Sequence, residues 1–388
     1  MLIRNGCLIM PYGVEMGDIR IENGKIIEIG SNLSALSETV IEAEGLYVSP
    51  GFVDIHTHGG YGFDFMESTD EAFYAGLKFH LDNGTTTVVP TSCTAPKNEI
   101  TAFLDFSREY MMRHNPGVAR VPGVHLEGPY LSVRNRGAQN VNFLAVPEKD
   151  DYSYMLDYKD VIKTVTISPE LSGAEEMAEK LSSAGITVSG GHDDGIYPDF
   201  LGTIDSGMTH LTHLYCAMSE LRFKDGIRNV GLREYALVED RLTAELIADN
   251  KHIIKELGMV IYNAKGSDKL CVVSDSLSAA GMPMDGKAYK IGVGENAQYI
   301  KVSDGVALTA ADGIFAGSIT PVFKMVQNMI EWGIPITDAV KMGTLIPARI
   351  IREDDKIGSI DVGKLADLCI FDKDFNIKYT VIGGTVKE

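Results

Sequence analysis

Short apolar runs alternate with longer amphipathic stretches through the middle of the chain, and this rhythm limits the folds that it can adopt. Eight runs have the character of buried strands: 51–57, 85–90, 121–127, 163–168, 186–191, 207–213, 243–249 and 269–275. The stretches between them, such as EAFYAGLKFHLDNG and AEEMAEKLSSAG, have helical spacing and end in Gly or Asn. Eight βα units over about 250 residues predict an α/β fold with a (β/α)8 barrel, and the alternative is a doubly wound open sheet.

Both ends of the chain show a different pattern, which is typical of short strands. LIRNGCLIM, GDIRIENGKIIEIG and TVIEAEGLYVSPG alternate apolar and polar residues, with Asn-Gly and Glu-Gly turns. The last thirty or so residues repeat this pattern. We therefore predict a small β domain formed by residues 1–49 and 347–388, beside a barrel domain formed by residues 50–346.

Charge and cysteine content narrow the class of protein. The formal net charge of -19 argues against nucleic acid or an anionic membrane as a partner, because both attract a basic surface. The apolar runs are too short to span a bilayer, and the first residues lack the apolar stretch of a signal peptide. Five scattered cysteines without a CxxC pair indicate free thiols. We expect a cytoplasmic protein, and an anionic substrate would need a local cationic pocket.

The segment VDIHTHGGYGFD carries two histidines one residue apart at the end of the first apolar run. Side chains alternate between the two faces of a strand, so His56 and His58 would point the same way. By itself this pair fits two metal ligands and two ordinary polar residues about equally well.

Further ionisable residues stand at or after the ends of the third, fifth, sixth, seventh and eighth predicted strands, where a (β/α)8 barrel carries its active site. The full candidate set is His56, His58, Glu127, His192, His213, His252 and Asp275. Structural polar residues have no reason to collect at one rim of a barrel. Four imidazoles and a carboxylate can bind one or two divalent transition ions, zinc or iron, with positions left for water.

Such a metal site predicts hydrolysis. A bound cation lowers the pKa of water and gives a hydroxide at neutral pH, and Asp275 can accept the proton and return it to a leaving group. Asp275 could instead cap the next helix, and His252 could simply lie on a helix after the seventh strand. His125 fits either a role beside the ligands or a satisfied core position. His80, His114 and His210 are interpreted as structural.

Seven segments resemble the motifs of N-acetylglucosamine-6-phosphate deacetylases, a family of the amidohydrolase superfamily. In order they are VDIHTHGGYGFD, GVHLEGPYL, SGGHDDG, THLYCAM, ADNKHI, LCVVSDS and GIFAGSITPV. The resemblance extends over essentially the whole chain, and its HLEGP segment is specific. It implies a barrel beside a β-sandwich built from both termini, and hydrolysis of N-acetylglucosamine-6-phosphate to glucosamine-6-phosphate and acetate.

The resemblance also implies a role for each candidate. Glu127, His192 and His213 would hold the main metal ion, and His56 and His58 would hold a second. Asp275 would be the general base and then the general acid. The expected substrate-binding residues are His252, Gln139, Cys216, Ala217 and Arg228. Arg228 matches an arginine that the family often sends to the phosphate from a neighbouring subunit, so a homodimer is implied.

Three positions depart from the family pattern. Gln139 replaces the His of a GAHN segment, Cys216 replaces the Asn of HLYNAM, and Asp193–Asp194 replace small polar residues. Two added carboxylates near a phosphate would repel it. The alternative is therefore an amidohydrolase of the same fold acting on a different N-acyl sugar or amide, with or without a phosphate. A metal-binding protein without activity is a third hypothesis, although a closed structural zinc site needs no base.

Overall fold

Eight parallel strands form the centre of the computed structural model, which describes residues 1–113 and 115–387; His114 and Glu388 lie outside the described residues. The strands are β1 (Phe52–Thr57), β2 (Thr85–Ser92), β3 (Val124–Glu127), β4 (Ile162–Ile167), β5 (Thr187–Gly190), β6 (Met208–Leu211), β7 (Thr243–Leu246) and β8 (Leu270–Val272). They pair in chain order from β1 to β8. The Asp275 amide donates to the His56 carbonyl at 2.9 Å, which joins the end of the β8 segment to β1. The predicted barrel is confirmed, and the open sheet is excluded.

Several strands are shorter than their apolar runs, for local reasons. β3 begins at Val124 instead of residue 121, after Pro122, which has no amide hydrogen to donate to a ladder. β6 and β8 end before His213 and Asp275, whose φ angles of 30° and 44° are incompatible with strand backbone. The residues at these strand ends therefore turn out of the sheet and toward the barrel mouth.

Helices cover the outside of the barrel. The α-helices are Asp70–Asp82, Lys97–Met111, Tyr154–Asp157, Ala174–Ser183, Leu201–Asp205, Leu232–Tyr235, Lys255–Lys265, Val322–Trp332, Ile336–Gly343 and Leu345–Ile350. Thr69 caps the first of them, because its side chain accepts from the Ala72 amide at 3.1 Å. β1 and β2 are buried along their whole length, since helices and the barrel interior cover both faces. None of the described helices is long and apolar enough to cross a membrane.

A second sheet combines the two ends of the chain. Its strands are Leu2–Met10, Gly13–Glu22, Lys25–Gly30, Val40–Glu42, Tyr47–Pro50, Leu368–Phe371, Ile377–Ile382 and Thr385–Lys387. Tyr47–Pro50 is the junction, parallel to Leu2–Met10 on one side and antiparallel to Leu368–Phe371 on the other. This sheet has its own apolar core, which includes Leu8 and Ile370. The separate β domain built from both termini is thus confirmed as part of the fold.

The boundaries of the two domains stay a prediction. The division into residues 1–49 plus 347–388 and residues 50–346 places its second boundary inside the helix Leu345–Ile350. Ile346 and Ala348 of this helix belong to the main core cluster, together with residues of the barrel.

Three smaller sheets surround the barrel mouth and were not predicted. A four-stranded antiparallel sheet comprises Ala288–Ile291, Gln298–Ser303, Val306–Thr309 and Phe315–Gly317. Two hairpins pair Arg222–Lys224 with Ile227–Asn229, and Gly59–Gly60 with Phe63–Asp64. Of these strands, Ala288–Ile291 and Phe315–Gly317 contribute lining residues to the cavity above the barrel strands.

Candidate active site

A cavity of about 500 Å³ opens at the C-terminal ends of the barrel strands. The predicted site residues that line it are His58, Glu127, Gln139, His192, His213, Cys216, Ala217, His252 and Asp275. His56 is fully buried beside them, and its Nε2 lies 3.7 Å from Glu127 Oε1 and 3.6 Å from Asp275 Oδ1. Of the predicted residues, Arg228 alone lies outside this cluster.

Glu127 is the centre of the first group of candidate metal ligands. Its Oε1 lies 2.9 Å from His192 Nε2 and 2.9 Å from His213 Nε2, and the two ring nitrogens are 3.1 Å apart. All three residues are buried. The ends of β3, β5 and β6 therefore bring three potential ligand atoms into mutual contact.

The histidine pair of β1 forms a second group with the same glutamate. His58 Nε2 lies 3.4 Å from Glu127 Oε2 and 3.3 Å from Asp275 Oδ1. His56 and His58 thus approach the same two carboxylates, as strand alternation predicts. Glu127 belongs to both groups: its Oε1 faces His56, His192 and His213, and its Oε2 faces His58.

The chemistry of these groups fits a divalent transition metal. Neutral imidazoles with a carboxylate are the ligands that zinc and iron take in hydrolytic sites. The Nε2 atom of His56 is buried and has no hydrogen-bond partner within residues 1–113 and 115–387. An unsatisfied buried nitrogen is costly, and a coordination bond would satisfy it.

Backbone conformations at the site are unusual for residues other than glycine. His192, His213, Tyr215, Ala217 and Asp275 have φ angles of 50°, 30°, 74°, 47° and 44°. Side chains with a Cβ disfavour this left-handed region, so such residues persist only where the surroundings hold them, often at functional sites. The strained turns after β5, β6 and β8 direct side chains into the cavity.

Glu245 on β7 was not predicted as a site residue, yet it contacts both ligand groups. Its Oε2 lies 2.9 Å from His56 Nδ1 and accepts a hydrogen bond from the His213 amide at 2.9 Å. Its Oε1 lies 3.3 Å from His210 Nε2. Holding Nδ1 in this way leaves Nε2 of His56 facing Glu127. The one sequence signal was a carboxylate inside the apolar run LTAELIAD.

The histidines and carboxylates shift one another's protonation. Burial raises the pKa of Glu127, but His56, His192 and His213 outweigh it and hold that pKa well below its usual range. Burial lowers the pKa of His58, yet the adjacent Asp275 and Glu127 raise it to about 9. The surrounding histidines therefore favour the ionised form of Glu127.

His252 lies in a loop after β7 and lines the cavity. Its Nδ1 is 2.8 Å from Asp249 Oδ2, and its backbone amide also donates to Asp249. Burial lowers the pKa of His252, but the hydrogen bond to Asp249 and the charges of Asp249 and Asp275 together outweigh it and raise that pKa. Asp249 thereby fixes the ring and leaves Nε2 available to a ligand in the cavity.

Gln139 and Cys216 both line the cavity, but their polar groups are not equally available. Gln139 Nε2 donates to Glu127 Oε2 at 2.6 Å, and its Oε1 accepts from the Thr94 amide at 2.6 Å. Gln139 thereby orients Glu127 through Oε2, whereas His192 contacts Oε1. Burial raises the pKa of the Cys216 thiol, which makes it inert packing rather than a nucleophile.

Asp193 and Asp194 are engaged with other residues of the protein and do not line the cavity. Asp193 accepts from the Ser219 amide at 3.0 Å and from its hydroxyl. Asp194 forms an ion pair with Arg222. Neither carboxylate belongs to the residues that line the cavity. These two carboxylates therefore make no direct contact with the cavity, and the alternative of an unphosphorylated substrate stays a prediction.

Arg228 lies on the hairpin strand Ile227–Asn229, is exposed and does not line the cavity. Phe223 is its cross-strand partner, and the side chains of Phe223 and Ile227 are 71% and 64% exposed. An exposed apolar hairpin of this kind is typical of a protein interface. The predicted contact of Arg228 with a neighbouring subunit stays a prediction.

The remaining described histidines have protein partners below the cavity. His80 Nε2 is 2.9 Å from Thr57 Oγ1, and burial lowers its pKa to about 3. His125 Nε2 is 2.7 Å from Thr166 Oγ1, and burial likewise holds its pKa well below the usual value. His210 lies between Thr243 and Glu245. These contacts support the structural interpretation of His80 and a satisfied interior position for His125.

Comparisons with known proteins agree with this architecture. The sequence profile of the amidohydrolase family matches residues 47–387. An N-acetylglucosamine-6-phosphate deacetylase of Haemophilus influenzae is 32% identical over 374 residues, which cover 95% of this chain and 94% of that protein. The crystal structure of N-acetylglucosamine-6-phosphate deacetylase from Pasteurella multocida aligns with a TM-score of 0.91 and 28% identity, over 100% of this chain and 99% of that one.

A third similar protein is a variant of N-acetyl-D-glucosamine-6-phosphate deacetylase from Mycobacterium smegmatis, in complex with N-acetyl-D-glucosamine-6-phosphate. It aligns with a TM-score of 0.88 and 26% identity, over 100% of this chain and 98% of that one. The similarity therefore includes both the barrel and the terminal sheet.

Proposed function

Because the chain belongs to the N-acetylglucosamine-6-phosphate deacetylase family of amidohydrolases, we propose that it hydrolyses N-acetylglucosamine-6-phosphate to glucosamine-6-phosphate and acetate. The observation that carries this proposal is the position of Glu127, which has four histidines and Asp275 around it in one buried cluster. Hydrolysis of an unactivated amide needs a strong nucleophile and a proton donor for the departing nitrogen, and this cluster can supply both.

Glu127, His192 and His213 are the proposed ligands of the main ion, and His56, His58 and Glu127 are the proposed ligands of a second. Zinc or iron, with one or two ions per subunit, fits the ligand types. When bound, the cation supplies Lewis acidity, which lowers the pKa of water and polarises the acetyl carbonyl. Glu245 and Gln139 hold His56 and Glu127 in orientation from outside this set.

Asp275 transfers a proton from the attacking water to the departing amide nitrogen. Its carboxylate lies within the cluster, and the Ser318 amide donates to its carbonyl at 2.8 Å, which fixes the strained backbone. Oδ1 accepts a proton from the attacking water and later delivers it to the amide nitrogen of the sugar. His252, held by Asp249, donates from Nε2 to the acetyl oxygen as negative charge develops there.

Acetate release tests the proposal. Enzyme of measured metal content is supplied with N-acetylglucosamine-6-phosphate and, separately, with the unphosphorylated sugar. We expect turnover of the phosphorylated sugar, its loss on chelation and its return with zinc or iron. Equal rates on both sugars would favour the alternative of a different N-acyl substrate. Failure to hydrolyse either sugar at full metal loading would contradict the proposed activity.

A homodimer and a cytoplasmic location are the remaining parts of the proposal. The exposed side chains of Phe223 and Ile227 on the Arg228 hairpin support association through this hairpin. Sedimentation equilibrium tests the dimer, and Phe223→Ser with Ile227→Ser should shift it toward monomer. Fractionation of the native host cells tests the location.

A further inference from the structure

The loop of residues 132–140 covers the cavity and is fastened to the candidate ligands. The carbonyl oxygen of Asn135 lies 2.9 Å from His192 Nδ1, and Gln139 donates to Glu127 at 2.6 Å. Between these two attachments, a methyl group placed on Gly137 would lie 3.4 Å from His192 Cε1 and 3.8 Å from Ala217 Cβ. The loop therefore lies directly against the site, and both of these attachments are made within the same chain.

The cavity is lined by two arginines and a lysine, Arg134, Arg136 and Lys251, which differ in whether a carboxylate pairs with them. Arg134 lies 3.6 Å from Asp194, and Lys251 forms an ion pair with Asp304 at 3.0 Å. Arg136 is half-buried and has no carboxylate or hydrogen-bond partner for its side chain in the described part of the chain. A guanidinium without a partner at the wall of a ligand cavity is available for an anion.

The overall charge makes this availability important. With a net charge of -19, the protein repels a sugar phosphate unless a cation near the site compensates. We infer that Arg136 binds the phosphate of the substrate, from the same subunit that supplies Glu127 and its histidines. The fork of the guanidinium matches two phosphate oxygens, which the rounder ammonium of a lysine does not. Arg136 is thus a specificity residue that the sequence motifs did not identify. The inference rests on the proposed function.

The test compares two substrates and four variants. Metal-loaded wild type, Arg136→Gln, Arg136→Lys and Arg228→Gln are assayed with N-acetylglucosamine-6-phosphate and with N-acetylglucosamine. Arg108→Gln is the matched control, since Arg108 pairs with Asp160 on the outer surface. We expect Arg136→Gln to raise KM for the phosphorylated sugar about 10- to 100-fold, the loss of one charged hydrogen-bonded contact. Its kcat/KM for the unphosphorylated sugar should stay within about twofold of wild type, and Arg136→Lys should be intermediate.

An unchanged ratio of the two kcat/KM values in Arg136→Gln would overturn the inference. So would a loss of phosphate preference in Arg228→Gln alone. Calorimetric binding of glucosamine-6-phosphate separates this inference from the proposed function, because it needs no turnover. Weaker binding in Arg136→Gln would support the phosphate contact even if wild type hydrolysed neither sugar, and equal binding would refute it.

Discussion

Glu245→Gln should weaken metal binding while the barrel stays folded. Glu245 is fully buried, and its Oε2 lies 2.9 Å both from His56 Nδ1 and from the His213 amide. The glutamine can keep its oxygen at that position and place its amide near His210, whose ring nitrogen can accept in its other tautomer. The substitution therefore removes the negative charge but leaves most of the hydrogen bonds.

The expected magnitude follows from these contacts. A hydrogen bond to a charged partner contributes about 1.5–3 kcal/mol, and changes behind a metal-bound histidine cost about 10- to 100-fold in metal affinity. At about 1.4 kcal/mol per factor of ten, that loss corresponds to about 1.4–2.8 kcal/mol, so the two ranges agree. We expect the loss of metal affinity to be greatest at the site that includes His56.

The assay is titration of metal-free protein with zinc against a competing chelator, with metal content measured after dialysis. Asp367→Asn is the matched control, because Asp367 is a buried carboxylate just before the terminal-sheet strand Leu368–Phe371 and accepts from the Gly383 amide at 2.7 Å. The control should bind zinc like wild type. Equal zinc affinity in wild type and Glu245→Gln would refute the reasoning, and unfolding of the metal-free variant at room temperature would refute the expectation that the barrel survives.

Three further changes probe the reaction, the packing and the titration of this protein. Asp275→Asn should lower kcat by about 10²–10⁴-fold at unchanged metal content, and a parallel loss of metal would instead indicate a ligand. Gly258→Ala would place a methyl 2.3 Å from Trp332 Cζ3, so urea unfolding should show a loss of about 1–3 kcal/mol, whereas Gly13→Ala, with nothing within 4 Å, should be nearly neutral. Burial raises the pKa of Glu170 to about 8, so its contribution favours the fold below the unfolded pKa and is lost as pH rises to about 8. Glu170→Gln should therefore gain stability relative to wild type between pH 5 and 8, and parallel pH profiles would contradict this.

The barrel could be predicted because its strands are buried on both faces. β2, for example, is the run TTTVVPTS, and all of its residues are buried. Such runs need no knowledge of distant partners, and all eight predicted runs overlap an observed strand. The ends of the runs were less predictable, since His213 and Asp275 leave the ladder through positive φ angles that no periodicity reveals.

Contacts between distant residues explain what the sequence did not reveal. Glu245 is 189 positions from His56, and only the closed barrel brings the two together. None of the sequence motifs singled out Arg136, which the attachments of its loop place at the cavity wall. Asp193 and Asp194 showed the opposite error, because Ser219 and Arg222 occupy carboxylates that the motif suggested would face the substrate.

The junction between the two chain ends has a consequence for biosynthesis. Ser49 on the strand Tyr47–Pro50 donates to the carbonyl of Cys369, which lies 320 positions later in the chain. At about 5–20 residues per second, a ribosome needs on the order of 16–64 s to complete that interval. During this time the first strands have an unpaired edge, which is a template for association with other nascent chains. The nascent protein therefore has its greatest need of a chaperone at its N-terminus, long before the catalytic barrel is complete.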